Sequence, residues 1–253
     1  MKQLVMAAAI ATVSSQSLAL EAGDLAFTAF NADEDGWAVL VLTDLLPEST
    51  IFFSEQAWDP AAMAFLGGEA RYTWSLDGAP ISAGTVVRFS DVNRASRTAS
   101  VGLLEATGSA NLSVAGESLF AYVGSSPEAP ATFLAAVSTD GFVGDQLAGT
   151  GLLPGQQALT LEPGTDFGEY VGPRTGAPRF ADYLGLVNDP GQWHVEATGD
   201  FSTSVPNLTA FTVSAVPEPG LASMLLAGLG MVGVAARRAR ESTDADGASE
   251  VRR

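Results

Sequence analysis

Apolar and polar positions alternate along the chain in short blocks. Leu25-Ala26-Phe27-Thr28-Ala29-Phe30 is an apolar run of strand length, and Asn31-Ala32-Asp33-Glu34-Asp35-Gly36 breaks it. Trp37-Ala38-Val39-Leu40-Val41-Leu42 follows, so the two runs predict a hairpin with an acidic loop. Thr50-Ile51-Phe52-Phe53-Ser54 is rich in β-branched and aromatic residues, which suit a pleated, half-buried surface. Arg71-Tyr72-Thr73-Trp74-Ser75 alternates with period two, and Asp77-Gly78 turns the chain after it. Thr85-Val86-Val87-Arg88-Phe89 predicts another strand. Residues 118–123 and 132–137 predict a pair joined across 124–130, and 158–161 and 211–213 predict short strands. Residues 58–68 and 91–100 read as loops. Only one stretch has helical spacing: Phe180, Tyr183, Leu184 and Val187 predict a helix over 179–187, ended by Asn188-Asp189-Pro190. Many short strands with frequent turns, and no fixed-period repeat, predict a mainly β fold: a single β-sandwich with one short helix.

The two ends follow a different pattern. Lys2, an apolar run from Leu4 to Val13 and the small residues of Ser17-Leu18-Ala19 predict a signal peptide over 1–19, cut by signal peptidase. At the other end, Val216-Pro217-Glu218-Pro219-Gly220 runs into an apolar stretch over 221–236, which Arg237-Arg238-Ala239-Arg240 stops. Proline lacks an N–H and fixes φ, so a helix should begin at or just after Pro219. At ~1.5 Å per residue the stretch spans roughly 24 Å, short for a transmembrane helix, and Arg side chains reaching to the headgroups extend it. Positive flanks resist translocation, which puts the Arg cluster in the cytoplasm and residues 20–215 outside the membrane.

The order of parts in that second segment resembles the PEP-CTERM sorting signal. The residues that carry the likeness are Val216, Pro217, Glu218 and Pro219, the helix over 221–236, and Arg237 and Arg238. The resemblance implies an exported Gram-negative protein that an exosortase-type membrane transpeptidase sorts to the cell surface or the exopolysaccharide matrix. Proteins of that kind end just after the Arg cluster, whereas this chain continues as a polar tail over 241–253. A second resemblance covers most of residues 23–193, to a recurrent bacterial secreted β-domain with no assigned activity. It rests on Gly23-Asp24-Leu25-Ala26-Phe27-Thr28-Ala29-Phe30, Ile51-Phe52-Phe53-Ser54 with Trp58, Tyr72-Thr73-Trp74, Gly116-Glu117-Ser118-Leu119-Phe120-Ala121-Tyr122 and Asn188-Asp189-Pro190-Gly191-Gln192-Trp193. Its opening also resembles lamin-tail domains, which implies an immunoglobulin-like sandwich.

Charge narrows the function classes. Between residues 20 and 215 there are twenty-four Asp and Glu against six Arg and no Lys, a net of −18. Such a surface repels nucleic acid and anionic lipid. There is no cysteine, so neither disulfides nor a Cys/His zinc site stabilise the exported domain. A core of this size suffices without them.

Candidate site residues are few. Asn31, Asp33, Asp35 and Gly36 fit the first half of a calcium loop, where alternate residues turn oxygens inward. The twelfth position is Leu42 instead of a bidentate Glu, so the loop is no EF-hand; it reads as a calcium site between strands or as a solvated acidic hairpin. His194 is the only histidine and reads as a packed or surface imidazole. Glu55 with Asp59 is one of several carboxylate pairs a glycosidase would need, and chance supplies such pairs in so acidic a chain. Trp37 and Trp74 read as core, and Trp58, in a loop, as the candidate to stack on a sugar. Beside the exported structural or adhesive protein, a polysaccharide hydrolase and a calcium-dependent binding module are the alternatives. No catalytic residue and no resident cofactor other than calcium is expected.

Overall fold

The computed structural model describes residues 19–214, apart from 77 and 115. Its elements are mainly β. One six-stranded sheet has the order β14-β13-β1-β2-β7-β8 and the other β12-β11-β10-β3-β6-β9; neither closes into a barrel. In chain order the strands are β1 Leu25–Asn31, β2 Gly36–Val41, β3 Thr50–Ser54, β4 Trp58–Asp59, β5 Ala64–Phe65, β6 Arg71–Ser75 and β7 Val86–Ser90. They continue as β8 Thr98–Ala99, β9 Leu103–Thr107, β10 Ser118–Ser126, β11 Ala129–Ser138, β12 Ala158–Thr160, β13 Phe167–Tyr170 and β14 Trp193–Glu196.

The two hairpins read from the sequence are present: β1 pairs antiparallel with β2, and β10 with β11. β3 also pairs antiparallel with β6, a pairing the sequence did not predict. The residues read as loops held more structure than expected. Residues 58–68 form the small β4–β5 hairpin, 91–100 contains β8, and β9 follows it. β4, β5 and β8 have two residues each, too few for a periodic signal, and the five residues of β9, Leu103-Leu104-Glu105-Ala106-Thr107, do not alternate throughout. Residues 211–213 do not join a sheet; Val213 makes one parallel bridge to Ala177. The predicted helix is a 3-10 turn, Phe180–Tyr183, continued by α1, Leu184–Val187.

Period two sends alternate side chains of the second sheet to opposite faces. Ile51 and Phe53 of β3, with Leu119 and Ala121 of β10, enter the main core; Phe52, Phe120 and Tyr122 enter a separate cluster behind it. That is why these runs are apolar throughout. In the main core, rings from both sheets meet. Phe53 lies 5.2 Å from Trp37 and 5.1 Å from Phe89, and Trp37 lies 5.0 Å from Tyr72, in tilted or edge-on contacts. Such pairs add about 0.5–1.5 kcal/mol each beyond their burial. The second cluster is closed by Trp58 and Phe65 of the β4–β5 hairpin and by Phe142 and Leu152.

After β14 the chain runs without regular structure from residue 199 to 214. This strap is fastened at Phe201, at Asn207 and from Thr209 to Ser214. Phe201 stacks on Phe167 at 5.3 Å, and the amides of Phe201 and Asn207 donate to Asp33 and Glu169. Phe211 is buried between Tyr170 and Tyr183, and its amide donates to the Gly84 carbonyl at 2.8 Å.

Candidate functional site

The acidic loop between β1 and β2 is engaged on every side. Asn31 Oδ1 accepts from the Asp33 and Glu34 amides at 3.1 and 3.0 Å, and its Nδ2 donates to the Phe201 carbonyl at 2.9 Å. Asp33 Oδ2 accepts from the Phe201 amide at 2.7 Å. Asp35 sits at a φ of 54°, a left-handed turn conformation that Asp tolerates better than most residues. Its Oδ1 accepts from the Leu112 amide at 2.7 Å and its Oδ2 from Asn93 Nδ2. Asn31 and Asp33 therefore fasten the strap, while Asp35 fastens the β9–β10 connection. Among the described residues, no group of three or more His, Asp or Glu stands where it could hold a metal ion.

The β9–β10 connection passes through a group of buried carboxylates that the sequence did not bring together: Asp35 and Glu55 were candidates for separate sites, and Glu117 for none. Three consecutive amides donate to three different acids. Asn111 reaches Glu55 Oε2 at 3.5 Å, Leu112 reaches Asp35 Oδ1, and Ser113 reaches Glu117 Oε2 at 2.8 Å. Glu55 also accepts from the Tyr72 hydroxyl and, at 3.4 Å, from the Ala70 amide. Glu55 is 2% exposed and Glu117 3%. Burial pushes Glu117 up to about 8; the Ser113 amide opposes this, and the charges of Glu55 and Glu69 add to it. Burial also raises Glu55, against the Tyr72 hydroxyl, and Asp35, against the Leu112 amide. Tyr72 is driven far above the ordinary phenol range by burial and by the Glu55 charge. A sequence signal did exist: Glu55 directly follows β3 and Glu117 directly precedes β10, both strands that are apolar on two faces.

Glu34 is the fourth buried acid among the described residues and has a cation. Its Oε1 pairs with Arg88 Nη2, the two side chains being 7% and 19% exposed. Burial still raises Glu34, and Arg88 opposes the shift.

The other candidates are dispersed. Trp58 is 3% exposed, with its Nε1 donating to the Ala148 carbonyl at 3.1 Å and its ring 4.9 Å from Phe133. The reading of Trp58 as an open platform for a sugar is corrected: the β4–β5 hairpin folds its ring into the second cluster. Glu55 is bound as described, and Asp59 accepts from the Ala61 amide at 2.8 Å, so the pair belongs to two separate local hydrogen-bond sets. His194 is on the surface, its Nε2 3.1 Å from Glu196 Oε1. Trp37 and Trp74 are core, as expected.

The strap ends in a second polar fixture. Arg174, 8% exposed, donates from Nη1 to the Thr209 carbonyl at 2.9 Å and from Nη2 to the Tyr170 carbonyl at 3.2 Å. Its guanidinium lies 4.8 Å over the Phe211 ring. The Thr212 and Ser214 amides donate to the carbonyls of Arg174 and Ala177, and Tyr183 Oη donates to the Thr212 carbonyl at 2.6 Å.

Val216, Pro217, Glu218, Pro219, Arg237 and Arg238 lie outside the described residues, as do the apolar stretch over 221–236, the polar tail and residues 1–18 of the signal peptide. Among the described residues, no helix is long and apolar enough to cross a membrane. Comparison with curated proteins and with solved structures returned no match. Residues 215–240 match the family model of the PEP-CTERM protein-sorting motif, so the chain carries that motif directly after the strap.

Proposed function

We propose that this protein is an exported, non-enzymatic β-domain, delivered to the cell surface or the exopolysaccharide matrix, where it has a structural or adhesive role. The observation that carries the reading is the match of residues 215–240 to the sorting motif, which implies sorting to the exterior and processing by an exosortase at the membrane. We read the two sheets as layers of an immunoglobulin-like sandwich, because their rings interleave in one core. Two features favour a structural role. All four tryptophans, Trp37, Trp58, Trp74 and Trp193, are buried, so none of them is an open platform for a sugar. The buried acids Asp35, Glu55 and Glu117 are hydrogen-bonded to the chain's own amides, and Glu34 is paired with Arg88.

The test is the double variant Arg237→Ala/Arg238→Ala in the full chain, expressed in a host that has an exosortase. Cell fractionation and intact mass should find the variant held back as an unprocessed membrane precursor. Unchanged localisation and mass would remove the sorting role.

A further inference from the structure

We propose that the strap over 199–214 is a latch that closes the β-domain immediately upstream of the sorting motif, with Arg174 as its positioning residue. Docked, it limits any processing of the chain to residues beyond Ser214. The proposal rests on the sorting reading for its biological setting and on the contacts of the strap for its physics.

A protease or transpeptidase binds its substrate as an extended peptide, so the residues beside the cut must leave their own partners. In the strap those partners are closely spaced from Asn207 to Ser214. Thr209 is held through its carbonyl by Arg174, Phe211 through its amide by Gly84, and Thr212 through both its amide and its carbonyl. Gly84 is placed for this contact: a Cβ there would stand 2.4 Å from the Phe211 carbonyl oxygen. A guanidinium is suited to the latch because one planar fork serves two carbonyls while its face covers a ring. Burial lowers the Arg174 pKa from its usual value, which marks how far the group is withdrawn from water. Undocking would leave that cation without the Thr209 carbonyl and uncover Tyr170 and Tyr183. Opening therefore costs free energy, and cleavage within the strap should follow the small open population.

The experiment uses the full chain in detergent micelles, digested briefly with proteinase K and read by intact mass, with near-ultraviolet circular dichroism reporting the folded core. The wild-type protein should be trimmed from its C-terminal side to residue 214 or later and then resist cutting within 207–214. Arg174→Ala should raise the rate of cutting within 199–214 by about tenfold or more. Tyr183→Phe, which removes one hydroxyl and leaves the ring, should raise it several-fold; this variant decides the matter if Arg174→Ala does not fold. Cutting of the folded wild-type strap as fast as that of a free 199–214 peptide would overturn the latch, as would variants whose cut pattern is unchanged. These outcomes do not depend on an exosortase, so they are separate from failure of the sorting reading, which the mass of the cell-derived protein reports.

Discussion

The amide of Leu112 donates to Asp35 Oδ1 across 2.7 Å and joins residues 77 positions apart. On either side of it, the amides of Asn111 and Ser113 donate to Glu55 and Glu117. Three successive backbone amides are thus each satisfied by a different carboxylate of the protein itself. The arrangement ties the β9–β10 connection to the β1–β2 loop, to the end of β3 and to the start of β10. It does so in a domain without disulfides.

Acid should stabilise this domain. Glu117 has a folded pKa of about 8 against an ordinary 4.5, so the folded protein holds a proton that the unfolded chain has already lost. Its contribution is fully present below about 4.5 and is lost as pH rises towards 8; Glu55 and Asp35 are shifted in the same direction. The melting temperature should fall by several degrees between pH 5 and pH 8.5, and Glu117→Gln should flatten that slope. A melting temperature that rises over the same interval would contradict the assignment.

Removing Arg88 should be costly, and removing the pair should not. Arg88→Ala leaves Glu34 buried without its cation, a change that typically costs about 3–5 kcal/mol. Replacing both at once, Arg88→Met with Glu34→Leu, should recover most of the loss. Urea denaturation of the two variants checks this, and equal losses would show that the pair is not the unit.

Trp58 should matter to stability. Trp58→Ala opens a cavity beside Phe65 and Phe133 and abandons the Ala148 carbonyl, for a loss of about 3–5 kcal/mol. Glycan-array binding, if the native protein has any, should be the same for any folded Trp58→Phe variant.

Gly36→Ala should destabilise the start of β2. An added Cβ would stand 2.6 Å from the Phe89 carbonyl oxygen, so β2 and β7 must move apart where Trp37 enters the core. A loss of about 1–3 kcal/mol is expected, read from thermal unfolding.

Calcium should leave the melting temperature where it is. Asp33 and Asp35 already accept amides from Phe201 and Leu112, and a site filled to a hundred times its Kd would add about 2.7 kcal/mol of stability. A rise of several degrees that Asp33→Ala abolishes would establish the loop as a calcium site.

Strand content and the inward-facing Trp37 and Trp74 were legible in the order of residues, because period-two and continuous apolar runs are local consequences of one-sided and two-sided burial. So were the 3-10 and α turns over 180–187 and the sorting motif, whose signals lie within a few consecutive positions. The short strands β4, β5, β8 and β9 were not, since two residues carry no period and Leu103-Leu104-Glu105-Ala106-Thr107 does not alternate throughout. Only tertiary structure decided the fate of the polar groups. Whether Glu55 and Glu117 face water or the amides of residues 111–113, whether Trp58 lies open or under a hairpin, and whether residues 199–214 trail or dock on Arg174 all depend on partners distant in the chain. Composition counts charges and rings, but burial and pairing are properties of the folded neighbourhood.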